Sequence, residues 1–178
     1  DSSSGTSGTV NAGNSLIGST SGDYIGRASS SDDLIALSNG NFLVHSDTWN
    51  GGVGSVTWGS GTTGVSGVVS SSNSLVGSSV NDFQSYNITE LNNGNYLIGN
   101  ATWNNGAATN AGAITWADGA TGITGVISSA NSLVGSSRSD FVGRRVSTLS
   151  NGNYLVISDS WNNGAASYAG AVTWGDGT

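Results

Sequence analysis

One unit is written three times in this chain. "LSNGNFLVHSDTWNGGVGSVTW" from Leu37 returns as "LNNGNYLIGNATWNNGAATNAGAITW" from Leu91 and as "LSNGNYLVISDSWNNGAASYAGAVTW" from Leu149. Trp58, Trp116 and Trp174 recur every 58 residues, and Leu16, Leu75 and Leu133 of the "NSLIGS" and "NSLVGS" strings keep nearly the same interval. A period of this length confines the chain to architectures built by arraying one supersecondary unit. Length changes between copies fall in two places, "SSSDDL" at residues 29–34 and the stretch between Trp49 and Trp58, and both therefore read as loops. The reading is a single all-β domain over residues 1–178. Its repeats are 14–72, 73–130 and 131–178, with residues 1–13 completing the last one.

Turn chemistry divides each unit into strands. Asn-Gly-Asn at 39–41, 93–95 and 151–153 is the signal of a two-residue hairpin with a type I′ turn, which needs positive φ at both centres. It joins a short strand ending at Leu37, Leu91 or Leu149 to "NFLVHS", "NYLIGN" or "NYLVIS". The loop carrying "WNNGAA" leads to "AGAITW" or "AGAVTW", an Asp-Gly turn follows, and a last strand lies within "TGVSGVVSSSNSLVGS". In "NYLVIS", Tyr154 and Val156 alternate with Leu155 and Ile157, so both faces are apolar and the sheet should be covered on both sides. About four antiparallel strands per unit, stacked face to face, predict a β-propeller-like fold of three four-stranded blades. A β-trefoil, or another three-fold all-β repeat, is the rival.

Composition supports order. Hydrophobic residues are 35% of the chain, low for a globular protein, yet only 8% are charged and Pro is absent, so the signature of disorder is missing. The 29 Gly belong to turns. A net charge of −7, with four Arg and no Lys, leaves no basic stripe for nucleic acid or an anionic membrane. Without Lys there is no Lys–Asn isopeptide bond, and without Cys there is no disulfide, thiolate metal site or thiol nucleophile. The lack of Cys and Met suits an extracellular or cell-surface setting. No apolar run approaches the roughly 20 residues of a membrane-spanning helix. The chain opens at "DSSSGTSG" and stops in mid-repeat at "TWGDGT", which reads as part of something longer or a processed product.

The string "NSLVGSSRSDFVGRRVSTLSNGNYLVISDSWNNGAASYAGAVTW" resembles FG-GAP repeats, the blades of integrin-α-type propellers. Counterparts of that family's motifs are Asp140–Gly143, Leu149, Asn153–Ser158 and Gly170–Trp174. The Trp-rich and Asn-rich variant is similar to repeats of very large bacterial surface proteins of the adhesin and haemagglutinin-like kind. The resemblance implies a propeller blade and a surface location. It does not carry over the family's calcium loop, because "SNGN" and "NNGN" stand where Asp-x-Asp-x-Asp-Gly would supply carboxylates. It also implies about seven blades, where this chain has three.

Candidate sites follow from what recurs. Asp23, Asp82 and Asp140 stand in "DYIG", "DFQS" and "DFVG", where a carboxylate can bind nearby backbone N–H groups in a turn or form a weak Ca²⁺ site. Trp49, Trp103 and Trp161 are each followed by an Asn, Asn50, Asn104 and Asn162. An aromatic face beside an amide is the chemistry of carbohydrate recognition, although the same Trp could simply plug the loop into its blade. Trp58, Trp116 and Trp174 are expected in the core between blades, as are Phe42, Tyr96 and Tyr154. His45, the only His, reads as a structural strand residue, and Asp32 and Asp33 read as a solvated loop. The sequons at Asn87 and Asn100 are what a chain rich in Asn and Thr produces by chance.

With no catalytic constellation, the chain reads as a non-enzyme without a cofactor. The expected function is a structural or adhesive repeat module of a bacterial extracellular protein; the alternative is a lectin with one Trp/Asn site per repeat, binding glycans. "GTSGTVNAGNSLIGS" near the N-terminus parallels "GTTGVSGVVSSSNSLVGS", whereas "AGAVTWGDGT" begins a repeat without closing it. Self-association is therefore expected by strand exchange between chains, the N-terminal segment pairing with the open edge at Ala169–Trp174.

Overall fold

A computed structural model describes residues 6–27 and 33–178. In chain order the strands are β1 (Leu16–Ile17), β2 (Leu34–Ala36), β3 (Phe42–Ser46), β4 (Ser55–Gly59), β5 (Gly67–Val68), β6 (Leu75–Val76), β7 (Tyr86–Glu90), β8 (Tyr96–Asn100), β9 (Ala113–Ala117), β10 (Gly125–Val126), β11 (Leu133–Val134), β12 (Arg145–Thr148), β13 (Tyr154–Ser158) and β14 (Ala171–Gly175). The protein is all-β. Its three main sheets have the orders β10-β6-β4-β3-β2, β11-β9-β8-β7 and β12-β13-β14, a two-stranded sheet pairs β1 with β5, and none of them closes on itself. No described helix is long and apolar enough to cross a membrane.

Where the sequence reading expected four antiparallel strands in each of three units, each unit contributes an antiparallel three-stranded meander and the main sheets hold five, four and three strands. The closing strand is divided. Between Gly67 and Val76 the chain makes two short strands rather than one. β6 runs antiparallel to β4 of its own sheet, with Leu75 opposite Val56, and parallel to β10 of the next unit, with Leu75 beside Gly125. β11 closes the second sheet in the same way, Leu133 opposite Ile114. β1 pairs in parallel with β5 and has no antiparallel partner among the described residues.

The hairpins differ from the sequence expectation. Gly40, Gly94 and Gly152 have φ near +87°, +85° and +89°, but the Asn before each does not have positive φ. Leu37 N–H donates to Asn41 O and Gly40 N–H to Leu37 O. The loop is thus three residues, a turn with a left-handed Gly at its end, rather than a type I′ pair. The Asn is kept for another reason: Asn39 Oδ1 accepts from Asn41 N–H, bracing the turn, while Nδ2 reaches the next repeat.

The sheets stack face to face. Residues opposite one another on antiparallel strands share a face, so Leu43 with Trp58, and His45 with Val56, face the second sheet. There they meet Tyr96, Ile98 and Ile88 in one apolar cluster. The other face of the second sheet, Leu97, Ile114 and Trp116, meets Val146, Tyr154 and Val156 of the third. The cover on both faces expected for "NYLVIS" is met in its middle-unit counterpart, where all five residues of β8 are buried, whereas in β13 only Val156 and Ser158 are. Each fully buried aliphatic side chain contributes about 1.5–3 kcal/mol of transfer free energy, so the repeat-to-repeat contact is the core of the protein.

Candidate functional site

Two sets of residues that look independent in sequence meet at one point in every unit. Asp82 is fully buried. Its Oδ2 accepts from the N–H groups of Ser78 and Ser79, both at 2.7 Å, and from Ser78 Oγ. Its Oδ1 accepts from Asn104 N–H at 3.1 Å and Asn104 Nδ2 at 3.0 Å. Asp140 repeats the arrangement with Ser136, Ser137 and Asn162, the Asn162 Nδ2 contact being 2.7 Å. Asp23 does so with Ser19, Thr20 and the N–H of Asn50. The carboxylate is a clamp between the turn after "NSL" and the loop after the Trp.

Local sequence explains the geometry. The Gly of "NSLxGS" is there because the Asp packs on it: a Cβ at Gly18 would lie 2.6 Å from Asp23 Cβ, and one at Gly77 would lie 2.9 Å from Asp82 Cβ and 2.5 Å from Val53 O. Burial would raise the Asp23 carboxyl, but hydrogen bonds from the Thr20 side chain and the N–H groups of Thr20, Ser19 and Asn50 outweigh it and hold the group below its ordinary value. The donors are N–H and O–H groups, so a cation could enter only by displacing them. Among the described residues no group of three or more His, Asp or Glu side chains is placed to hold a metal ion.

Two of the three amides proposed for sugar recognition, those of Asn104 and Asn162, are already engaged, whereas Asn50 is exposed and bonds Asp23 through its backbone N–H. Asn104 Nδ2 is on Asp82 and Asn104 Oδ1 accepts from Asn110 N–H. Asn162 is held between Asp140 and Tyr168 N–H in the same manner. Trp103 is 4% exposed, inside the core. Trp49 and Trp161 are half-buried. Trp49 and Asn50 line a groove of about 360 Å³ with Val76 and Ser78; Trp161 lines one of about 310 Å³ with Leu133, Val134, Ala171 and Thr173.

The two Trp sets therefore do not divide as expected: one loop Trp, Trp103, is core, while Trp49 and Trp161 are half-buried like Trp58 and Trp116. Trp58 and Trp116 are half-buried, each packed against a core cluster, and Trp174 is 57% exposed. The ring nitrogen explains this placement. Trp58 Nε1, Asn39 Nδ2 and Asn41 Nδ2 all donate to Gly119 O, at 3.0, 2.8 and 2.9 Å. Trp116, Asn93 and Asn95 converge in the same way on Gly177 O. Asn95 Oδ1 meanwhile accepts from Gly119 N–H of its own unit, so one amide ties two repeats together. The sequence analysis read these Asn only as turn formers and missed this junction; the return of Asn-Gly-Asn together with the strand-ending Trp in every unit was the available signal.

His45 and Asp33 correct a second expectation. Asp33 is 2% exposed rather than solvated, and His45 Nδ1 lies 3.2 Å from its Oδ1. The imidazole stacks on Tyr86 at 3.7 Å between ring centres. Burial pushes the His45 pKa down, against a smaller upward pull from Asp33 and Asp47. Asp32 lies outside the described residues. Of the two sequons, Asn100 is fully buried and Asn87 donates to Gly143 O of the next unit.

No curated protein matches the sequence. A family model, described as Repeat of unknown function (DUF5650), matches four times, over residues 1–27, 36–86, 90–144 and 148–178. The inner matches each run from one Asn-Gly-Asn hairpin to the approach to the next, and the outer two take complementary parts of that unit. On matches that cover nearly all of its length, the chain belongs to this family of repeats of unknown function.

Proposed function

We propose that the chain is a non-catalytic structural module of a bacterial extracellular or surface protein, its repeats acting as blade-like building blocks in the manner of the FG-GAP resemblance. One observation carries the reading: the recurring polar residues point inward. Asp82 with Asn104 and Asp140 with Asn162 complete bonds within a unit, and Asn39, Asn41 and Trp58, like Asn93, Asn95 and Trp116, complete bonds between units. Such contacts hold the units in a stack, which supports a role in spacing or stiffness within a larger surface assembly. The low charge, and the lack of Cys and Met, fit that setting.

A glycan-binding reading keeps one specific support, the half-buried Trp49 and Trp161 beside their grooves. Tryptophan fluorescence titrated with a broad panel of simple sugars at millimolar concentration separates the two. The structural reading expects no saturable change. A saturable change that Trp161→Ala reduces would establish the lectin in its place.

A further inference from the structure

We infer that Asn50, followed by Gly51, is a spontaneous deamidation site, and that the carboxylate it gains is set against the buried Asp23 clamp of the first unit. The inference goes beyond the structural reading and does not depend on it.

The chemistry is that of the Asn-Gly dipeptide. The main-chain nitrogen of the Gly attacks the Asn side-chain carbonyl carbon. The new C–N bond closes a five-membered imide, and the side-chain NH₂ leaves as ammonia with the proton from the attacking nitrogen. Water then opens the ring at either carbonyl, giving Asp or isoaspartate. Water is the only co-reactant, and nothing is oxidised or reduced. Gly favours the step because no Cβ crowds its nitrogen. The Gly N–H must be free to lose its proton and the Asn side chain free to swing to it, so hydrogen bonds on either group oppose ring closure.

The sequence writes Asn-Gly six times, and four of the pairs, at Asn39, Asn50, Asn93 and Asn105, lie in the first two units. Exposure does not separate these four, since all are exposed. Bonding does. At Asn39 all three groups are held: Oδ1 accepts from Asn41 N–H at 3.0 Å, Nδ2 donates to Gly119 O at 2.8 Å, and Gly40 N–H donates to Leu37 O at 3.0 Å. Asn93 is locked in the same way by Asn95 N–H and Gly177 O, with Gly94 N–H on Leu91 O. Asn105 is held through its side chain, Nδ2 donating to Gly135 O at 2.9 Å. Asn50 differs from all three. Among the described residues neither its Oδ1 nor its Nδ2 makes a hydrogen bond, and Gly51 N–H makes none.

Loop length is the reason. Asn104, the counterpart of Asn50 in the second unit, has Oδ1 on Asn110 N–H and Nδ2 on Asp82 Oδ1. The first unit is shorter between Trp49 and Trp58, which puts Gly51 where the second unit has Asn105. The chain turns back at once through Asn50 and Gly51, at φ of 52° and 69°, and Gly52 N–H closes the turn on Thr48 O. No main-chain donor is brought to the Asn50 amide, which is left in solvent.

The product has something to act on. Asn50 N–H donates to Asp23 Oδ1 at 2.9 Å, and Asp23 is 3% exposed. A carboxylate on residue 50 adds like charge near that of Asp23, and isoaspartate also lengthens the main chain by a methylene. Either change opposes the bond that ties this loop to the turn at Ser19 and Thr20. The pairs at Asn39 and Asn93 are protected by the junction bonds they make, so the module ages at a loop and not at its junctions.

The test holds the folded 178-residue chain for weeks in mildly alkaline buffer and maps conversion of each Asn by peptide mass spectrometry, with a denatured sample alongside. Denatured, the four sites should convert at similar rates. Folded, Asn50 should keep most of that rate, while Asn39 and Asn93 should be slowed at least about tenfold, the effect of one hydrogen bond that must open first. Asn50→Gln, whose imide would need a six-membered ring, should remove the main conversion in the first two units with circular dichroism unchanged. Asn50→Asp, the product with an unaltered main chain, should have a urea midpoint below that of Asn50→Gln. Conversion of Asn39 or Asn93 as fast as Asn50 overturns the site, as does an Asn50 that stays intact folded while it converts denatured. An Asn50→Asp midpoint at or above that of Asn50→Gln overturns the action on the clamp.

Discussion

Replacing Asp82 by Asn changes the clamp with almost no change in shape. The native carboxylate takes Ser78 N–H, Ser79 N–H and Ser78 Oγ on one oxygen, and two donors from Asn104 on the other. An amide keeps one acceptor oxygen, and its NH₂ must face donors. In the better orientation the oxygen stays with the serines and the NH₂ confronts Asn104. Asn104 cannot readily turn its own oxygen to meet it, because Oδ1 already binds Asn110 N–H. One or two buried donors lose their acceptor, at about 1–3 kcal/mol each, and the remaining bonds lose their charge assistance. The expected loss is about 2–4 kcal/mol, a large part of the roughly 5–15 kcal/mol that holds a domain together. Urea unfolding followed by tryptophan fluorescence measures it. Asp159→Asn, at an exposed ion pair with Arg145, serves as the control and should leave the midpoint in place. The double variant Asp82→Asn/Asn104→Asp should recover part of the loss by presenting an acceptor to the new amide. A cost for Asp82→Asn below about 0.5 kcal/mol would refute the clamp, since such values mark sites without a specific structural role. Millimolar calcium offers an independent check: a clamp made of N–H donors leaves the wild-type midpoint unchanged, whereas a cation site raises it by linkage.

Trp103→Ala should destabilise the protein by about 3–5 kcal/mol, as for other core aromatics, while Trp174→Ala, on an exposed ring, should cost dilute protein less than about 0.5 kcal/mol; equal effects in urea titrations would contradict the observed burial. Gly119→Ala places a Cβ 1.8 Å from Gly94 O, so it should lower the thermal midpoint well beyond Ala120→Gly at the exposed neighbouring position. His45 has a folded-state pKa below its unfolded value near 6.5, so the unfolded chain takes up the proton first and stability should fall as pH drops through about 6.5. His45→Gln should flatten that part of the urea-midpoint profile against pH, and an unchanged slope would assign the dependence to other groups.

The 58-residue period, the β class, the hairpin-linked strands of each unit and the two-sided cover that "NYLVIS" called for, met in its middle-unit counterpart, were legible in the chain itself. They follow from local chemistry: alternation of apolar residues, left-handed Gly in turns, and the need of an all-apolar strand for cover on both faces. The pairing of β1 with β5 and of β6 with β10, by contrast, joins different repeats, and a run of two residues carries no periodic signal that names its partner. The same limit hid the role of the recurrent Asn and Asp. Their side-chain preferences fit a turn, a metal site or a sugar site equally well, and only the approach of Asn104 to Asp82, or of Asn41 and Trp58 to Gly119, distinguishes among them. Burial of the Trp was likewise decided in three dimensions. Six identical residues in two recurring contexts give no measure of exposure, which depends on where the next sheet lies: Trp103 is enclosed in the cluster shared by the first two sheets, and Trp174 lies on a face that no described residue covers.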